Sequence, residues 1–158
     1  MNHRVTPLVV AGLLPVLGGC ALTDVDQMFV AQPRAQVKAV RLIEQTNEGA
    51  RVEVVVTLKN ANDVPLPLVA SACSMSVAGR SPYRSATDPN AVLPAASTQE
   101  IVIPLAFATP EPESAVTDAA YSISGSVTYE PPGQMRKLLT ESGVPLPQVL
   151  FSGTGRIQ

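Results

Sequence analysis

Tyr121-Ser122-Ile123-Ser124-Gly125-Ser126-Val127-Thr128-Tyr129 is the stretch that decides the fold. Every odd position is apolar or glycine, and every even position carries a small hydroxyl. A period of two belongs to an extended strand with one buried and one wet face. The same alternation recurs upstream. In residues 51–59, Val52, Val54, Val56 and Leu58 share a face opposite Glu53, Thr57 and Lys59, with Val55 the exception. Cys73, Met75 and Val77 alternate with Ser74 and Ser76. Ile101, Ile103, Leu105 and Phe107 form another face, and Pro104 points away from it, which marks an edge strand because proline has no N–H to give a neighbour. Residues 37–43 and 149–157 are weaker candidates.

Turn chemistry separates these runs. Asn60-Ala61-Asn62-Asp63 offers side chains that bond to their own turn backbone. Residues 64–68 continue as an extended, proline-stiffened segment. Asp88-Pro89-Asn90 and residues 110–112 mark two loops, and Pro131-Pro132-Gly133 closes the strand that ends at Tyr129. Only residues 134–142 read as helix: Met135, Leu138 and Leu139 share a face and Gly143 stands at a C-cap position. Val144-Pro145-Leu146-Pro147 echoes Val64-Pro65-Leu66-Pro67, which points to two similar lead-ins to a strand. About seven short strands and one short helix predict an all-β, antiparallel β-sandwich, because each one-faced sheet needs another to cover it.

With 158 residues, 46% hydrophobic and 15% charged, the chain suits one folded domain. Its 15 prolines and 10 glycines fit strands and turns. A net charge of −2 lacks the basic footprint that nucleic acid requires.

The first twenty residues carry an address. A short, singly charged start (Arg4) leads into the apolar run of residues 8–17, too short to span a bilayer, which takes about 20 helical residues. It fits a cleaved signal peptide. Leu17-Gly18-Gly19-Cys20 resembles a bacterial lipobox, in which small residues admit a peptidase and the thiol accepts a diacylglyceryl group. Cys20 is then a thioether and cannot pair with Cys73, whose apolar neighbours give it the character of a small buried residue. Ala21 follows instead of Asp, which in lipoproteins of double-membraned bacteria resembles sorting to the outer membrane, on its periplasmic face. The expected organisation is a signal peptide over 1–19, a lipidated cysteine and tether over 20–34, and one domain over 35–158.

Catalytic chemistry finds little material. The only histidine, His3, lies in the leader, so the remainder has no imidazole for a nucleophile or a metal. No cofactor, metal or small-molecule substrate is indicated. Glu111, Glu113 and Asp118 are weighed as paired carboxylates and read as a solvated acidic loop. Arg34, Lys38 and Arg41 are read as a solvated strand face, with contact to anionic headgroups as the alternative. Tyr83 and Tyr129 are read as core or edge packing. Ser122, Ser124, Ser126 and Thr128 offer a hydroxyl face that either binds a partner or is simply a good solvent-side strand surface.

Residues 54–68 resemble the signature of the WHy (water stress and hypersensitive response) domain of late embryogenesis abundant type 2 proteins. That family shows Asn-Pro-Asn followed by an apolar, proline-containing run; here Asn60 and Asn62 match and Ala61 replaces the proline. Val77-Ala78-Gly79, Leu93-Pro94-Ala95 and residues 123–129 extend the resemblance over about 33–158. It implies an immunoglobulin- or fibronectin III-like sandwich, a non-enzymatic role in desiccation or envelope stress, structural turn roles for Asn60 and Asn62, and no catalytic residues. Expected partners are a membrane, reached through the N-terminal lipid, and a protein client. A small β-sandwich lipoprotein that anchors or assembles an envelope secretion complex is the alternative.

Overall fold

The computed structural model describes residues 30–80, 82–109 and 116–158. The alternating runs become β1 (Arg34–Gln45), β2 (Gly49–Lys59), β3 (Leu66–Val77), β4 (Tyr83–Thr87), β5 (Ala91–Leu93), β6 (Thr98–Ala108), β7 (Ala120–Tyr129) and β8 (Gln148–Arg156), with helix α1 (Gly133–Ser142) before β8. Two antiparallel sheets result. The first has the order β1-β2-β6; the second has β4-β3-β7-β8, with β5 pairing the beginning of β3 in line with β4.

Period-two patterning sets the core. Val52, Val54, Val56 and Leu58 of β2 and Ile103 of β6 are buried, facing Met75, Val127 and Phe151 of the second sheet's strands in one continuous cluster. Val55, on the opposite face of β2, is only 2% exposed; its register partners Ala39 and Val102 flank it and leave water little room. Proline's missing donor explains β6: it pairs with β2 alone, and Pro104 sits opposite Glu53 at the sheet margin.

The sheets meet at two corners. At one, the Leu42 N–H donates to the Gln158 carbonyl (2.7 Å) and the Gln158 N–H to the Val40 carbonyl (2.9 Å). At the other, the Ser85 hydroxyl donates to the Pro104 carbonyl (2.6 Å) and the Tyr83 hydroxyl to the Ala108 carbonyl (3.2 Å). These contacts occupy margins that bare edge strands would otherwise offer to other chains. Close approach inside requires glycine at one place above all: a Cβ on Gly125 would lie 2.3 Å from the Phe151 ring and 2.4 Å from the Ala72 carbonyl oxygen.

Three features depart from the sequence reading. β4 and β5, which the alternation does not mark, flank the loop at residues 88–90, which is present as read. The proline-stiffened segment is itself the start of β3. In α1 the expected C-cap is present, with Gly143 at φ 64 and its N–H bonded to the Thr140 carbonyl, yet no residue of the helix is buried. Its Met135, Leu138 and Leu139 face therefore does not dock into the core. The echo between residues 64–67 and 144–147 has a structural counterpart. The Tyr129 N–H donates to Pro147 O (3.1 Å) and the Glu130 N–H to Pro67 O (2.9 Å), so the two proline segments bracket the end of β7.

Candidate functional site

The outward face of the second sheet is the most regular surface of the molecule. Register places Ser76, Ser122 and Thr154 side by side on β3, β7 and β8, and Ser74, Ser124 and Ser152 form the next row. A third row runs Ala72, Ser126, Leu150, and a fourth Ala70, Thr128, Gln148. Neighbours are about 4.8 Å apart across the strands and about 6.7 Å along them. Each hydroxyl both donates and accepts, so the array can hydrogen-bond water, polyols or the polar edge of another polypeptide without a fixed charge. A shallow open concavity of about 730 Å³ covers its centre, with Arg84 among its lining residues. Leu150 stands in the same field at 72% exposure. Sequence alternation marks the β7 hydroxyls; it misses Ser152, Thr154 and Arg84 because their strands carry too few inward apolar residues to show a period.

Asn60 and Asn62 come together as a tie between segments. Asn60 is buried, and its side-chain amide donates to the carbonyls of Val64 (2.8 Å) and Pro94 (3.0 Å), while its Oδ1 accepts from the Asn62 N–H (3.0 Å) and Nδ2 (2.8 Å). Asn62 in turn accepts from the Ala31 N–H (2.8 Å) and donates to its carbonyl (2.9 Å). These bonds satisfy groups at two turns and fasten residue 31 to the same end of the sandwich. Pro33 is buried and Val30 packs against the core, so residues 30–33, read as the last part of the tether, lie against the domain.

The other sequence-marked residues do not converge. Arg34, Lys38 and Arg41 are spread along β1, and Lys38 is ion-paired with Glu100 across the first sheet. Asp118 faces Arg156 at 3.4 Å, fully at the surface. Tyr129 is buried, and Tyr83 packs on Phe107 with ring centroids 5.0 Å apart. Cys73 is a buried free thiol whose pKa burial pushes up, the opposite of a reactive thiolate. Among the described residues no group of three or more His, Cys, Asp or Glu could hold a metal, and no helix is long and apolar enough to cross a membrane. Cys20, its lipobox residues Leu17, Gly18 and Gly19, and Glu111 and Glu113 lie outside the described residues.

The sandwich superposes on solved structures. The solution structure of AT1g01470 from Arabidopsis thaliana superposes with a TM-score of 0.60 at 17% identity, over 82% of this chain and 83% of that one. A protein described as late embryogenesis abundant (LEA), At2g46140.1, gives 0.58 at 19% identity over 80% and 70%. The chain thus has a LEA-type fold. No protein-family model matches the chain, and no curated protein matches it by sequence.

Proposed function

We propose that this chain is a non-enzymatic, lipid-anchored protein of the bacterial envelope with a LEA type 2 (WHy) domain, protecting envelope components or clients during drying and related stress. The observation that carries the reading is the hydroxyl array of β3, β7 and β8. As water is withdrawn, a surface of paired donors and acceptors without charge can replace lost hydrogen bonds on many partners, with no need for a fitted pocket. Leu17, Gly18, Gly19 and Cys20 supply the anchor, and two or three acyl chains at about 0.8 kcal/mol per buried methylene give stable attachment. Ala21 directs the protein to the periplasmic face of the outer membrane.

A second reading, an assembly or anchoring factor for an envelope secretion complex, is favoured by Leu150, the most exposed large apolar residue on the sheet. A deletion strain complemented with wild-type or Cys20→Ala protein separates the two. Loss of survival after drying, restored by wild type and not by Cys20→Ala, supports the protective role. Unchanged survival with a secretion subunit co-purifying from the same cells supports the alternative. Labelled fatty acid should enter the wild type and not Cys20→Ala.

A further inference from the structure

The chain approaches its domain at one particular end. Residues 30–33 are held there by Asn62 and by the Gln32 amide, which donates to Gln148 O at 2.7 Å. The beginnings of β1, β3 and β8 and the ends of β2 and β7 lie at that end, and α1 lies there too, between β7 and β8. The β1–β2 hairpin and the β3–β4 turn sit at the other end, about 36 Å away along the 11-residue β2.

Exposed apolar side chains gather at the first end. Leu138 of α1 is 57% exposed and Val144, just beyond its C-cap, is 51% exposed. Val92 (50%) lies beside Pro67 on β5, and Leu150 (72%) is two residues into β8. Together they make four of the six large exposed apolar residues among those described. The cations of the helix are already matched, Arg136 to Glu130 at 3.0 Å and Lys137 near Glu141 at 3.8 Å.

We infer that the α1 end of the sandwich rests on the lipid leaflet, with Leu138 and Val144 entering the interface as a second, apolar attachment. The inference rests on the reading of Cys20 as the lipid-bearing residue. Nine residues, 21–29, lie between Cys20 and Val30, ten steps with a covalent reach of at most about 35 Å, so the α1 end is the part of the domain that the anchor holds nearest the lipid. A helix with no buried residue, whose Leu138 stands exposed, can lay its apolar face in such an interface. The hydroxyl face then stands roughly upright on the membrane.

The test uses the full lipidated chain reconstituted in phosphatidylethanolamine/phosphatidylglycerol vesicles. The sequence contains no Trp, so Leu138→Trp supplies a single indole, and Ile43→Trp supplies a control at the opposite end, where Ile43 is 45% exposed. The expected result is blue-shifted Leu138→Trp emission, quenched by brominated acyl chains and about threefold less accessible to acrylamide than Ile43→Trp. Equal acrylamide access for the two variants in protein that floats with the vesicles overturns the inference and leaves the anchor standing. Failure to float overturns both. A blue shift that appears without lipid, together with a dimer in sedimentation, overturns it in favour of a second copy of the chain.

Discussion

The two sheets bury the same kind of residue and present different surfaces. The first sheet's inner face is filled with Val, Ile and Leu, and its outer face is crossed by charge pairs: Lys38 with Glu100, and Glu44 with Arg51 at 3.6 Å. The second sheet gives up side-chain volume inside, with Gly125, Gly153 and Gly155 on or beside its inward positions, and outside carries ordered hydroxyls with little charge. Exposed ion pairs contribute little and specify nothing. A field with two rows of hydroxyls running across three strands is a surface in its own right. The first sheet is scaffold, and the second carries the candidate function.

The largest effect is expected where the second sheet has no room. Gly125→Val should lose at least about 3 kcal/mol in urea unfolding, because the Ala72 carbonyl is backbone and cannot step aside for a Cβ. An effect under about 1 kcal/mol would mean that the sheets tolerate separation there. Next comes the tie that both sheets share: Asn60→Ala leaves the carbonyls of Val64 and Pro94 and the Asn62 amide short of partners in a buried place, and should cost about 2 kcal/mol.

Alkali should act chiefly through the second sheet. Burial raises the pKa values of Cys73, Tyr121 and Tyr129, all on β3 and β7. Their neutral forms are the ones the fold accommodates, so the unfolded chain releases protons first. Stability is then fully present below the ordinary values, about 8.5 for Cys and about 10 for Tyr, and is lost as pH rises through the raised ones. Tm measured from pH 8 to 11 should fall, and Cys73→Ala with Tyr121→Phe should flatten the slope relative to each variant's own value at pH 8. The smallest effect belongs to the first sheet's outer face: Lys38→Ala should change unfolding free energy by less than about 0.5 kcal/mol, since both partners are exposed.

These contrasts also explain what the sequence makes legible. β2, β6 and β7 announce themselves because each places an unbroken apolar row on one face. β4 does not, since no residue from Tyr83 to Thr87 is buried and an edge strand needs no inner row. β8 is faint because Gly153 and Gly155 stand where apolar residues would signal a period; a Cβ on Gly153 would approach Val37 of β1 to 3.1 Å. The Asn60–Asn62 turn is readable locally, but its bonds to Ala31 and Pro94 span 31 and 34 residues and have no local trace. The helix is readable from its Gly143 C-cap and apolar spacing, whereas the absence of a docking surface for it is a property of the tertiary structure. The hydroxyl array is half visible: β7 shows it, as do Ser74 and Ser76 of β3, and only the register sets them side by side and adds Ser152 and Thr154.

Survival after drying, in the deletion strain complemented with the Ser124→Val/Ser152→Val double variant, tests most directly whether the second sheet's outer face does the protecting. Valine suits an exposed strand, so protein level, membrane fraction and Tm should match wild type while survival falls to that of the deletion. Survival equal to wild type, with these two central hydroxyls gone, would contradict the account.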